Sequence, residues 1–294
     1  MKKECYLFGG LLMDYYYSID AWPKRSQDGF ITDEKALVGG CAVNMAATLK
    51  NLGATAHVIS GIGTDATGRE LSAYMVEHGL SADYLENVAG LSGKCLVFLE
   101  PDGERTFLTG KGAEGIFTEE MDRRIRQNVL PVAGVTGYFL LNEDAERIMA
   151  CLEYLHEKGT KILFDPSPLV SSVSESLLKR IIAVSTVMTP NTTELEVIQK
   201  YIGTAEYCKA GKTMVVKEGS RGGTVYAPGE VFHYEAERCQ AVDTTGAGDS
   251  FAGALLYGLL SDMPIKAAVS LATKCAGKTV TIEGPHGFWN LEEK

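Results

Sequence analysis

Nowhere in these 294 residues does an apolar run approach the length of a membrane span, and basic residues are in deficit. A helical span needs about 20 consecutive apolar residues, so a membrane partner is excluded. Lys and Arg number 28 against 38 Asp and Glu, a formal net charge of −10. A surface of that sign repels a phosphodiester backbone, which excludes nucleic acid. The seven cysteines are scattered and odd in number, with no CxxC pair, so neither a zinc site nor a disulfide framework is indicated. They read as small buried thiols in a reducing cytoplasm. The five histidines, at 57, 78, 156, 233 and 286, show no metal-ligand spacing. A signal peptide is missing too. Lys2 and Lys3 precede the apolar run Cys5 to Met13, but Gly9-Gly10 interrupts it, Asp14 ends it and no A-x-A site follows. The 45% hydrophobic, 22% charged composition is that of an ordinary globular chain.

Short apolar runs alternate with helical periodicity. Strands are predicted at Cys5 to Phe8, Ala56 to Ser60, Tyr138 to Leu141, Lys161 to Phe164, Thr186 to Met188 and Thr213 to Val216. Helices are predicted at 44–52, 68–78, 145–158, 249–260 and 265–278; Gly53, Gly79 and Gly159 close the first three. That alternation predicts an α/β protein, a mainly parallel sheet with helices on both faces. Two stretches have no room for a crossover helix. Residues 93–110 read as a hairpin about a Pro101-Asp102-Gly103 turn, and 15–38 as an irregular Tyr-rich segment ending in extended chain. They are predicted to form a small separate sheet over one end of a single domain, as a lid.

The most informative segment is Ala241-Val242-Asp243-Thr244-Thr245-Gly246-Ala247-Gly248-Asp249-Ser250-Phe251. A Gly-x-Gly turn opens directly into an apolar helix. Unpaired backbone N–H groups and the helix dipole make such a start an anion site suited to phosphate. A carboxylate at its mouth, Asp249, is placed to take a proton from an attacking hydroxyl, which together with the cradle suffices for phosphoryl transfer. The bland alternative is a tight turn and a helix-capping Asp; short Gly-rich strings do not by themselves decide between the two.

The string DTTGAGDSFAGALL closely resembles the C-terminal signature of the ribokinase (PfkB) family, and further motifs follow in family order. Gly39-Gly40 with Asn44 is similar to the N-terminal signature, Asp14 stands where the family places a sugar-binding Asp, and Pro190-Asn191-Thr192-Thr193-Glu194 resembles PNxxE. Lys217-Glu218-Gly219-Ser220-Arg221-Gly222 resembles the strand-turn bordering the ATP site. The resemblance implies a ribokinase-like fold and an ATP-dependent kinase acting on a hydroxyl of a small neutral sugar or ribonucleoside. It assigns the base to Asp249, the anion hole to Gly246, Ala247 and Gly248, and substrate contacts to Asp14, Gly39, Gly40, Asn44 and Glu143. Asn191, Glu194, Lys217, Gly219, Gly222 and Thr245 are assigned to ATP, with Glu194 organising Mg²⁺ through water. It leaves K⁺ open, and the lid's strand edges imply a homodimer through paired lids.

Departures from the pattern leave the substrate open among ribonucleosides, ribose, fructose and keto-deoxy sugar acids. Cys41-Ala42 stands where ribokinase carries Lys-Gly, Asp165-Pro166-Ser167-Pro168 replaces an Asp-x-Asn, and 283–288 lacks the usual ending. Tyr15, Tyr16 and Tyr17 fit either lid packing or stacking on substrate, and Glu143 fits either substrate contact or a helix cap. Two other classes are carried. Gly61-Ile62-Gly63-Thr64-Asp65-Ala66, with Glu86 downstream, fits the fingerprint of an NAD-dependent oxidoreductase. A sugar- or nucleoside-sensing protein without turnover would share the kinase fold.

Overall fold

The computed structural model describes residues 2–102 and 104–291. The strands are β1 (Glu4–Phe8), β2 (Leu12–Ile19), β3 (Ile31–Gly39), β4 (Thr55–Gly63), β5 (Leu85–Val88), β6 (Lys94–Leu99), β7 (Arg105–Gly110), β8 (Val132–Thr136), β9 (Lys161–Asp165), β10 (Val187–Met188), β11 (Thr213–Lys217), β12 (Gly223–Ala227) and β13 (Glu230–Tyr234). The helices are α1 (Cys41–Asn51), α2 (Ala66–Glu77), α3 (Glu119–Gln127), α4 (Ala145–Glu157), α5 (Glu175–Val184), α6 (Thr192–Ile198), α7 (Thr204–Lys209), α8 (Ala247–Leu260) and α9 (Ile265–Thr279).

Among the described residues a nine-stranded sheet runs β13-β12-β11-β10-β9-β8-β1-β4-β5. It is parallel from β11 to β5; β12 pairs antiparallel with β11, and β13 antiparallel with β12. Alternation in β1 shows how the sequence builds two cores. Tyr6 and Phe8 point to one face and pack with residues of α3, α4 and α5; Cys5 and Leu7 point to the other and pack with α1, α2, α8 and α9. Helices on both faces bury strands on both sides, as the apolar runs Val132–Val135 of β8 and Ile162–Phe164 of β9 show. A parallel sheet of this kind gathers its functional groups beyond the carboxyl ends of its strands.

The predicted second sheet exists, ordered β3-β2-β6-β7. The 15–38 segment is less irregular than predicted. Tyr15, Tyr16 and Tyr17 lie on β2, which pairs antiparallel with β3 and parallel with β6. Asp14 also belongs to β2 and not to the end of the first strand, which stops at Phe8. The hairpin is β6 with β7; Gly103 of its turn lies outside the described residues.

One predicted strand is misplaced. Gly137–Leu141 is a 3-10 turn, and the strand is the preceding Val132–Thr136. Aromatic and branched side chains made 138–141 look extended. The true strand carries Gly134 because a Cβ there would press on Leu256 and Leu7.

Candidate active site

Helix α1 begins at the end of β3. Its cap, Gly40, has φ 103, and a Cβ there would collide with the Gly10 carbonyl; only glycine fits both demands. Its neighbour Gly39 leaves room for the Asp14 carboxylate, which a Cβ would overlap. Asp14, Gly39, Gly40 and Asn44 are therefore brought together, at the seam between the small sheet and α1.

Helix α8 begins opposite them. Gly246 is left-handed at φ 74, with no side chain capping the helix, and a Cβ there would strike the Pro285 carbonyl. The N–H groups of the first turn consequently lack intrahelical partners. Gly248 is exposed and open: a Cβ there would have only the Lys217 Nζ near it, at 3.6 Å. An ammonium thus stands beside the open end of a helix dipole, and both favour an anion.

Asp249, half-buried in the first turn of α8, accepts a 2.7 Å hydrogen bond at Oδ2 from Asn44 Nδ2. Burial raises its carboxyl to about 6; the Asn44 amide, Lys217 and the Cys41 thiol hold it back, while Asp165 pushes it further. Asp14 is pushed up to about 7, by burial first and then by the charge of Asp249. Cys41 is raised well above an ordinary thiol by burial and by Asp249, Asp165 and Asp14. Its proton is therefore retained at neutral pH, and Cys41 acts here as a donor to Asp249 rather than as a thiolate.

On the other side Lys217, at the end of β11, pairs with Asp165 Oδ2 at 2.7 Å, and Thr189 Oγ1 donates to the same oxygen at 3.0 Å. Burial works against the Lys217 charge, but Asp165, Glu194 and Asp249 more than offset it. Asn191 caps α6 in a capping box with Glu194, whose two carboxylate oxygens accept from Asn191 N and Nδ2. Glu194 is buried, and burial with the Asp165 charge raises its carboxyl. Thr245 donates its N–H to Asp243 Oδ1, while its buried hydroxyl has no partner.

Two sequence candidates are tied to this set by no hydrogen bond among the described residues. Glu143 is exposed on the turn before α4 and makes no hydrogen bond to it; the helix cap position goes to Asp144. Gly222 is buried against the Tyr234 carbonyl, so its glycine answers a packing need, whereas Gly219 is exposed with open space around it. Other residues were missed by sequence reasoning. Asp165 figured only as a departure from a family pattern, Cys41 likewise, and Tyr138 was read as a strand residue. Yet the Tyr138 phenol is raised by burial and by Cys41 and Asp249, although the residue as a whole is 39% exposed. Arg105 of β7 pairs with Asp243 Oδ1 at 3.0 Å, so the small sheet touches the loop leading into α8. No isolated signal marked it in the sequence.

The Gly61 turn has none of these properties. Cβ atoms at Gly61, Gly63 and Gly68 would collide with backbone of Ala113, of residues 90–92 and of Gly63 respectively. The start of α2 is capped by Asp65, which accepts from Gly68 N at 2.8 Å and from Ser92 N and Oγ. A pyrophosphate would meet a filled turn and a carboxylate, so the dinucleotide reading has no site.

An open helix start at the carboxyl edge of a parallel sheet, with a lysine and an elevated aspartate beside it, is a setting that favours an anion next to a proton acceptor. The sequence profile of the pfkB family carbohydrate kinases matches residues 19–289, and the chain belongs to that family. It is similar to an uncharacterized sugar kinase, YegV, of Escherichia coli (strain K12), at 29% identity over 96% of this chain and 90% of that one. Among solved structures it superposes on the Burkholderia thailandensis nucleoside kinase in complex with inosine, with TM-score 0.82 and 20% identity over 97% and 93% of the two chains. It also superposes on Arabidopsis thaliana ribokinase complexed with ribose and ATP, with TM-score 0.81 and 21% identity over 97% and 94%. The fold is thus the ribokinase fold, with the four-stranded sheet as its lid. Among the described residues no helix is long and apolar enough to cross a membrane.

Proposed function

We propose that the chain transfers the γ-phosphoryl group of ATP to a hydroxyl of a small neutral sugar or ribonucleoside held under the lid. The observation that carries this reading is Asp249. Its carboxyl lies near 6, it accepts from Asn44, and it sits in the first turn of a helix whose open end faces Lys217. Near neutrality it is ionised yet still basic enough to take a proton. Asp249 draws the proton from the attacking hydroxyl, and the backbone N–H groups of Gly246, Ala247 and Gly248 receive the phosphoryl oxygens. Asp14, Gly39, Gly40 and Asn44 hold the acceptor, with Glu143 an additional contact from the turn before α4. The nucleotide lies along Asn191, Glu194, Lys217, Gly219, Gly222 and Thr245. Inosine and ribose, bound in the nucleoside kinase and ribokinase structures above, are the acceptors to try first.

Magnesium fits as a visitor with the nucleotide. Among the described residues no three ligating side chains converge, but Glu194 and Asp165 crowd one lysine and leave negative charge in excess. Glu194, already bonded through both oxygens, would hold Mg²⁺ through water. When bound, the ion neutralises charge on the phosphates. Edge strand β7 presents exposed Phe107 and Leu108, which supports a homodimer through paired lids; a single monomeric species in sedimentation at micromolar concentration would count against it.

The test is ADP release from MgATP against a panel of inosine, other ribonucleosides, ribose and fructose. Release stimulated by one member, dependent on Mg²⁺, supports the reading and names the substrate class. ATP that binds with no release across the panel points instead to a sensor on this fold.

A further inference from the structure

Behind the Asp249–Asn44 pair lies a chain of hydrogen bonds that the phosphoryl-transfer reading does not use. Asn44 Oδ1 lies 2.8 Å from His286 Nδ1, and His286 Nε2 lies 2.7 Å from the Tyr74 hydroxyl. The direction of every bond is fixed from one end. A carboxylate only accepts, so the Asn44 atom facing Asp249 is the NH₂ group, and Oδ1 faces His286. An amide oxygen also only accepts, so His286 carries its proton on Nδ1. Nε2 is then the acceptor of the Tyr74 O–H. A neutral imidazole is what the surroundings dictate: burial, then neighbouring His78, lowers His286 to about 4.

The ring is gripped as well as bonded. His286 packs edge-on against Tyr74 of α2 and against Phe288. Its segment is clamped to α1 by Asn51, which donates to the Gly287 carbonyl at 2.9 Å and accepts from Trp289 N at 3.3 Å. Asn44 and Asn51 are seven residues apart, two turns along one face of α1. The same face is bolted to α8 through Thr48 Oγ1 and Ser250 Oγ at 3.0 Å.

We propose that His286 is a positioning residue for the transfer reaction: it locks the Asn44 side-chain amide so that its NH₂ group, and not its carbonyl, faces Asp249. This rests on Asp249 being the base. Without His286 the amide of Asn44 is free to turn, and in the turned state its carbonyl opposes the carboxylate. The groups that face Asp249 are Cys41 and Asn44 from α1, Asp14 from β2, Tyr138 from the 3-10 turn after β8, Asp165 from β9 and Lys217 from β11. Of these only Asn44 has an orientation that His286 controls. Those facing His286 are Asn44, Tyr74 and His78.

The experiment reads the Asp249 carboxyl directly, by ¹³C NMR titration of Asp-labelled full-length protein, with Asp249→Asn and Asp14→Asn to assign the two elevated carboxyls. Alongside it, kcat and KM are taken from ADP release with MgATP and inosine or ribose. His286→Ala is expected to move the Asp249 midpoint upward by about one unit and to lower kcat about tenfold with KM little changed. His286→Asn, whose amide N–H can stand where Nδ1–H stands, is expected to restore most of both. His286→Gln, whose amide reaches instead toward Tyr74, is expected not to. Folded His286→Ala with an unmoved midpoint overturns the proposal, as does His286→Asn failing as badly as His286→Ala while melting like wild type. If Asp249→Asn itself keeps full turnover, the base assignment fails instead, and the NMR midpoint still decides whether His286 orients Asn44.

Discussion

Two turns in this chain read alike and do opposite things. Gly61-Ile62-Gly63 and Gly246-Ala247-Gly248 each carry glycines two apart, each stands before or at a helix start, and each has an aspartate close by. In the first, protein backbone fills the space that glycine leaves, and Asp65 turns inward to cap α2. In the second, Gly246 is spent on close approach to Pro285, but Gly248 faces open space beside a lysine, and Asp249 points at an amide from another helix. A glycine pattern specifies that backbone will come close to something. What it comes close to is decided by long-range packing, which a local string does not encode.

The contrast can be broken by three substitutions and, more finely, by pH. Asp249→Ala should lower turnover by about two to four decades while ATP still binds, measured by ADP release and nucleotide titration; near-full activity would put the base elsewhere. Gly63→Ala, which drives a methyl into backbone at Gly90 and Ser92, should cost about 1–3 kcal/mol of stability in a thermal or urea melt, with the folded fraction still turning over. Gly248→Ala should show the reverse profile: an unchanged melt, because only Lys217 Nζ is near, and turnover lower by about tenfold as the methyl crowds the anion hole. Equal outcomes for the two glycine variants would erase the distinction drawn here.

The smallest effects are in pH. On the proposed mechanism Asp249 must be ionised to accept a proton; with its carboxyl at about 6, turnover should fall on the acid side with a midpoint near that value. The sign for stability is opposite. A folded pKa raised above the unfolded one favours the native state most below pH 4, and that advantage is lost as pH rises through 6. Asp249→Asn should therefore melt higher than wild type by a margin that grows from pH 4 to pH 7, reaching about 1 kcal/mol after discounting for solvent. A margin that shrinks with pH would contradict the raised carboxyl.

Much of this architecture could be read from residue order. Strand–helix alternation and the two stretches too short for a crossover gave the parallel sheet and the separate lid. Local errors have local causes. Tyr15 to Tyr17 read as irregular because a strand sealing the mouth of a site buries Asp14 and exposes part of its tyrosines, so alternation is blurred. Val132–Thr136 was overlooked because Gly134 must be small to admit Leu256 and Leu7. The site was legible where a motif sits in one stretch, as in 243–251, and illegible where partners are distant. Asp165 and Lys217 are 52 positions apart. His286, one of five histidines with no spacing to distinguish it, gains meaning only from Asn44.

That last pair has a consequence for how the molecule is made. Asn44 and His286 are 242 positions apart, and the Pro285 carbonyl closes over Gly246. During synthesis Asn44 leaves the ribosome 242 residues before His286. On the proposal above, its side-chain amide stays free to turn until that partner arrives. A nascent chain that folds from its N-terminus would then form its sheet before Asn44 is oriented.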